Sequence, residues 1–218
     1  MIERYTHPEM GRLWSDQKRY ETWLQVELAS VDALVEEGIV PADEARELRS
    51  KANFSVERIN EIEKVTQHDV IAFTTSVAEF AGPSARWLHF GLTSSDVIDT
   101  AQALQMRDAC DLFRTLVDGL LASVHARAEE HRRTPMIGRT HGVHAEPMTL
   151  GVKLALWYSE LVRDRERIVR ARAGVSAGKL SGAVGTFAHL PPSVEESVCR
   201  RLGLTPAPVA SQVIQRDR

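Results

Sequence analysis

Cysteines, aromatic side chains, net charge and long apolar runs are all scarce in this chain, and each scarcity removes a class of explanation. Two cysteines, Cys110 and Cys199, occur among 218 residues. They lie far apart with no Cys-x-x-Cys or Cys/His spacing, which argues against a disulfide framework or a zinc module. A chain of this length buries a core without staples, so both thiols are expected as reduced core residues. The formal charge is only −3, from 27 basic and 30 acidic residues, and a field that weak gives no reason to expect a nucleic-acid partner. No apolar run approaches the roughly 18 residues that a membrane span needs. The first ten residues also lack the basic-then-apolar layout of a secretory signal. No membrane partner is expected, and the location expected is cytoplasmic. Aromatics make up 6% of the chain, while Leu, Ala, Val, Glu and Arg abound, a mixture that favours helices.

The periodicity agrees with that bias. Thr6-His7-Pro8 restricts the backbone before any helix can start, so residues 1–12 are expected as an irregular arm. Ser15 then opens a helix whose apolar positions, Trp23 to Val35, recur at three- and four-residue intervals until Gly38. Shorter helices follow from Pro41, from Ser55 and from the cap sequence Thr66-Gln67-His68-Asp69, the last running to Gly82-Pro83. A cluster at Thr93-Ser94-Ser95-Asp96 precedes a periodic stretch from Val97 to about Arg132, a helix of roughly 50 Å. A second long helix is expected from Met148 to about Arg172, antiparallel to the first. Gly174 to Thr186 is a glycine-rich loop, and Pro191-Pro192 starts a short helix that ends near Gly203. The expected class is all-α: a small helical domain over 1–92, then the first long helices of a bundle over 93–218. Val209 to Arg218 carries no cap and no stop signal, so the chain is expected to be a fragment.

Chemistry concentrates in a few places. Gly138-Arg139-Thr140-His141-Gly142-Val143-His144-Ala145-Glu146-Pro147 sits in the break between the long helices, where glycine and proline alone would make a connector. His141 and His144 could supply an acid, a base or a metal pair, although Gly142 between them spoils a regular ligand spacing and further ligands are lacking, so no metal is expected. Thr93-Ser94-Ser95-Asp96 offers more hydroxyls than one helix start consumes, beside free backbone N–H groups that favour anions. Gln67-His68-Asp69 sets a carboxylate beside an imidazole, which in an acid–base site would orient the ring. Gly178-Lys179 precedes the other glycines of its loop, the wrong order for a P-loop or a dinucleotide fingerprint, and close helix packing is the plainer explanation. The arginine run Arg163 to Arg172 mixes both signs, as an inter-helix or solvated face does.

Taken together, His89-Phe90-Gly91-Leu92-Thr93-Ser94-Ser95-Asp96, the Gly138–Pro147 stretch and Gly178-Lys179-Leu180-Ser181-Gly182-Ala183-Val184-Gly185-Thr186 resemble the adenylosuccinate lyase family of the fumarase/aspartase superfamily. Arg4-Tyr5 and Gln212 extend the likeness across essentially the whole chain. The resemblance implies β-elimination of fumarate from adenylosuccinate to give AMP, and from the succinyl-carboxamide ribotide SAICAR to give AICAR, with no metal or organic cofactor. It implies that His141 protonates the departing nitrogen and that His68 contacts substrate and supports His141. Arg4, Tyr5, Asp69, His89, Thr93, Ser94 and Gln212 match substrate contacts, and Gln67 stands where the family commonly has a basic residue. A homotetramer with sites shared between subunits is implied as well. The proton-abstracting serine of the family sits on a loop with a Met-Pro-Lys-Asn signature that does not occur in these residues, so the chain alone is expected to be inactive. Two other expectations stay open: a superfamily relative of the carboxymuconate cycloisomerase type, and a non-catalytic helical oligomerisation module.

Overall fold

The structure, a computed structural model, describes residues 2–218 and every side chain among them except that of Glu3. It is all-α in class, 66% helical with only small sheets. Packing divides it into two compact units, Met1–Asp108 with Gly174–Arg218, and Ala109–Ala173.

The first unit begins with a 3-10 turn, Glu3–Tyr5, and a short helix α1, Pro8–Leu13. The irregular arm expected there is therefore partly helical. Pro8 breaks whatever precedes it, but at the first helical position its fixed φ and missing N–H cost nothing, so it starts α1. Helix α2, Asp16–Glu36, is capped by the Ser15 hydroxyl, which accepts from the Lys18 amide at 3.2 Å. Its inward stripe, Tyr20, Trp23, Val26, Val31 and Leu34, is almost entirely buried. Helix α3, Ala42–Lys51, and helix α4, Val56–Thr66, lead to helix α5, Asp69–Ala81. Tyr20, Trp23 and Phe73 pack with centroids 5.3 to 5.8 Å apart, Tyr20 stacking on Phe73 within 8° of parallel. Few aromatics suffice because four of them, with Phe54, meet at one point.

Helix α6 spans Ser94–Glu130. Residues after position 174 return to the first unit. A two-residue strand β3, Ala177–Gly178, pairs parallel with β4, Thr205–Pro206, and helix α8, Pro192–Leu202, lies between them in sequence. Val194, Val198 and Cys199 of α8 join the same core as Leu34 and Phe73. Gly178 is required there, since a Cβ would stand 2.7 Å from the Cys199 sulfur.

The second unit holds the far part of α6, an antiparallel ribbon of β1, Pro135–Thr140, and β2, Val143–Thr149, and most of helix α7, Leu150–Val175. The expected connector is thus a β-hairpin. Its strands escape a period-2 reading because they are half-buried at best, so no apolar alternation marks them. The helices it joins approach closely, with a Cβ on Gly151 placed 2.6 Å from Arg132 Cα and 2.7 Å from the Ala128 carbonyl oxygen. Arg165–Asp118 and Arg172–Asp111 pair across them at 2.5 and 2.8 Å, which makes the arginine run an inter-helix face. The expected division at residue 92 follows composition, whereas the compact units follow packing.

Candidate active site

The turn that leads into α6 is built by an acid rather than by hydroxyls. Thr93 is the cap position, and its backbone N–H donates to Asp96 Oδ2 at 2.9 Å while the Asp96 amide donates to the Thr93 carbonyl at 2.9 Å. This is one half of a capping box, the carboxylate reaching back to the cap amide while the Thr93 hydroxyl takes no part. Among the described residues the hydroxyls of Thr93, Ser94 and Ser95 consequently have no protein partner, and they stay available to a ligand.

Asp96 is itself held from the other side. Its Oδ1 accepts from Lys179 Nζ at 2.7 Å and from the Gly182 amide at 3.3 Å, and Lys179 also donates to the Gly182 carbonyl at 2.6 Å. Both side chains of this pair are fully buried, an arrangement tolerable only because each charge meets its partner and a backbone group. The glycine-rich loop is therefore a brace on the start of α6. Sequence reasoning passed over Lys179, although a lysine set between Gly178 and Leu180 in an otherwise apolar stretch was the signal available. Next to it the Leu180 amide donates to Glu195 at 2.7 Å. Burial raises the Glu195 carboxyl above its ordinary range, with Asp96 adding to that while the Leu180 amide and Lys179 pull the other way. Burial, helped by Glu195, also pushes the Cys199 thiol up to about 12, which makes it an inert core group.

His89 lies at the head of the same turn, in the left-handed region at φ +58°. Its Nδ1 is 2.7 Å from Glu27 Oε1, and its backbone N–H donates to Glu27 Oε2 at 2.7 Å. Burial of the ring favours its neutral form, but the hydrogen bond and charge of Glu27, with Asp96 behind, outweigh this and raise the His89 pKa above the ordinary value. Glu27 was not among the expected site residues, because in sequence it is one acid in a helix full of them.

His68 caps α5, its Nδ1 accepting from the Ile71 amide at 3.3 Å, with Asp69 Oδ1 3.6 Å away. A ring that accepts through Nδ1 carries its proton on Nε2 when neutral, so the outward nitrogen is the donor. Asp69 accepts from the Val70 amide at 2.7 Å. Gln67 ends α4 in the left-handed conformation, φ +52°, and donates from Nε2 to the Lys64 carbonyl at 2.9 Å, which commits one of its amide donors to the helix end. Arg4 lies over the exposed Tyr5 ring, 4.8 Å from its centroid. Gln212 is exposed in the irregular segment after β4.

His141 belongs to the second unit and stands at the hairpin tip. His141 and Gly142 both have positive φ, +51° and +76°, between the paired residues Thr140 and Val143. Two central residues of that kind make a type I′ turn, whose twist suits a hairpin. A bulge between Ile137 and Arg139 adds local twist, and His144 faces Arg139 across the ribbon. The exposed His141 ring is thus placed by backbone geometry, without a side-chain partner among the described residues. Among the described residues no group of three or more His, Cys, Asp or Glu side chains is arranged to hold a metal.

Against that geometry the comparisons are specific. A family model described as "Lyase" matches residues 3–218. The chain belongs to this lyase family. Within the family, the adenylosuccinate lyase of Bacillus subtilis (strain 168) is 48% identical over 218 residues, 100% of this chain and 51% of that protein. That of Streptococcus mutans is 49% identical over 217 residues, covering 100% of this chain and 50% of that protein. The chain spans about half the length of the curated relatives it matches. Two solved structures of other enzymes share the lyase-family fold. A fumarate lyase from Mesorhizobium sp. BNC1 superposes with a TM-score of 0.88 at 30% identity, covering 93% of this chain and 49% of that one. A 3-carboxy-cis,cis-muconate lactonizing enzyme from Pseudomonas putida reaches 0.89 at 29% identity, covering 98% and 50%.

Proposed function

We propose that these residues form the N-terminal part of a lyase that eliminates fumarate from adenylosuccinate, leaving AMP, and from SAICAR, leaving AICAR. The observation that carries the proposal is identity of 48–49% to adenylosuccinate lyases sustained over the whole chain, against 29–30% to the differently named solved enzymes. In the elimination a base removes a proton from the carbon beside a carboxylate. The carbon–nitrogen bond then breaks, its electrons pass to nitrogen while those of the C–H bond form the fumarate double bond, and an acid protonates the departing nitrogen.

His141 is that acid, offered at a turn where nothing in its own unit competes for the ring. His68 assists and contacts substrate through Nε2, the nitrogen its cap leaves free. Arg4, Tyr5, Gln67, Asp69, His89, Thr93, Ser94 and Gln212 are the substrate contacts, and the unclaimed Thr93 and Ser94 hydroxyls beside helix N–H groups suit a carboxylate or phosphate. No metal or organic cofactor takes part. The domain division is 1–92 and 93–218, the protein is cytoplasmic, and it works as a homotetramer with shared sites. Exposed apolar side chains on the long helices, Phe113, Leu116 and Leu120 with Val152, Leu156 and Trp157, support association. Because the chain spans half of its relatives, it turns over no substrate alone.

The test is AMP calorimetry on the purified chain, with fumarate release measured alone and after mixing with the C-terminal half of a relative. The expected result is nucleotide binding, no release by the chain alone, and release on complementation that His141→Ala abolishes. Release by the chain alone overturns its inactivity. Turnover of a carboxymuconate in place of the nucleotides moves the function to the cycloisomerase type, and complementation without any turnover leaves a helical association module.

A further inference from the structure

Glu27 occupies a place that packing does not explain. It sits on α2 between Val26 and Ala29 in the buried stripe, and its own side chain is fully enclosed. Both carboxylate oxygens are spent on one residue, Oε1 against His89 Nδ1 and Oε2 against the His89 backbone N–H, each at 2.7 Å. His89 in turn adopts a left-handed backbone, φ +58°, that non-glycine residues seldom take. A quarter of its side chain is exposed, and with Nδ1 engaged by Glu27 the other ring nitrogen, Nε2, has no hydrogen-bond partner among the described residues. The Leu92 amide closes back on the His89 carbonyl at 3.2 Å, so the ring heads the turn that delivers the unclaimed hydroxyls of Thr93, Ser94 and Ser95.

We propose that Glu27 is a positioning residue of the substrate site, fixing His89 in its left-handed turn and keeping its imidazole charged, so that Nε2–H is a preset cationic donor for an anionic oxygen of the substrate. The proposal rests on the reading of residues 89–96 as substrate contacts. A purely structural Glu27 would serve only to satisfy the strained backbone N–H, and a neutral amide would do that equally well. A buried carboxylate goes further, since it favours the doubly protonated ring against the penalty of burial. The charged groups facing the ring are Glu27 from α2 and Asp96 from α6, both anionic and both acting in that direction.

The experiment is a long-range 1H–15N correlation of the histidine side chains in the 218-residue chain, followed from pH 5 to 9, with His89 assigned through His89→Gln. The chain has 8 histidines, and the other seven serve as internal references. In the native sequence His89 is expected to be doubly protonated at neutral pH. In Glu27→Gln its titration midpoint falls by about one unit or more, with the other histidines unmoved. In Glu27→Asp the charge is retained and the midpoint largely recovers. A neutral His89 at pH 7 in the native chain overturns the proposal whether or not any variant folds, as does a midpoint that ignores Glu27→Gln. Titrating AMP into the same sample tests the underlying reading separately. A charged His89 whose signals ignore AMP leaves the Glu27 pairing standing and removes residues 89–96 from the nucleotide site.

Discussion

The turn at His89 and the hairpin tip at His141 each hold a histidine at positive φ, +58° and +51°, but different physics fixes them. At His89 the backbone N–H is held by Glu27 from α2, and the Thr93 amide further along the turn is held by Asp96, itself paired with Lys179 from a loop more than eighty positions away in sequence. At His141 two central residues and a strand pair suffice, and the ring itself makes no hydrogen bond, ion pair or ring contact among the described residues. On the proposed reading, the histidine that serves as a charged donor is built against a buried acid, and the one that gives up its proton is left at an exposed turn.

That contrast breaks most sharply at the brace. Lys179→Met strands the Asp96 carboxylate without its cation, and removing one partner of a fully buried pair costs about 3–5 kcal/mol. Urea unfolding of the chain should show that loss, with most of it recovered when Asp96→Asn is added. A cost below about 1 kcal/mol would mean that the pair is not what holds the start of α6. In the second unit the corresponding constraint is steric. Gly151→Ala sets a methyl 2.6 Å from Arg132 Cα, and overpacking against backbone is expected to cost about 1–3 kcal/mol, reduced by the better helix propensity of alanine.

The electrostatic half of the comparison also has a pH signature. The folded-state pKa of His89 lies above the ordinary 6.5. The stability it contributes is therefore fully present below that value and is lost as pH rises through the folded pKa. The gap in melting temperature between the native chain and Glu27→Gln should accordingly be widest below pH 6.5 and close as pH climbs. A gap that is flat or widens would show that Glu27 acts by shape alone.

How much of this was legible beforehand follows the same divide. The helices and their caps could be read because Ser15, Ser55 and His68 act within three residues of themselves. The spare hydroxyls of Thr93 and Ser94 could be counted from composition, and the remaining proposed site residues rest on the family likeness. Glu27, Asp96 and Lys179 were not legible as a network, because partners up to 83 residues apart meet only after folding. The hairpin was missed for the opposite reason. Its order is local, but it lies in backbone dihedrals that His141-Gly142 signals faintly, where Asn-Gly would have announced it.

That weak signal supports the smallest effect and the finest test of the comparison. Asparagine and glycine tolerate the left-handed region better than histidine does, and they lead at the first position of a type I′ turn. If the tip is fixed by backbone geometry alone, His141→Asn should leave the fold intact and raise its stability by about 0.5 kcal/mol, seen as a slightly higher melting temperature and unchanged or slower amide exchange at Thr140 and Val143. The same substitution should abolish fumarate release in the complemented enzyme, because an amide cannot replace the proton donor. Destabilisation by more than about 1 kcal/mol would mean that the ring does hold the hairpin. His141 would then resemble His89 after all. A stabilised chain with dead chemistry would show a histidine kept at the tip for its proton, at the expense of the better turn residue.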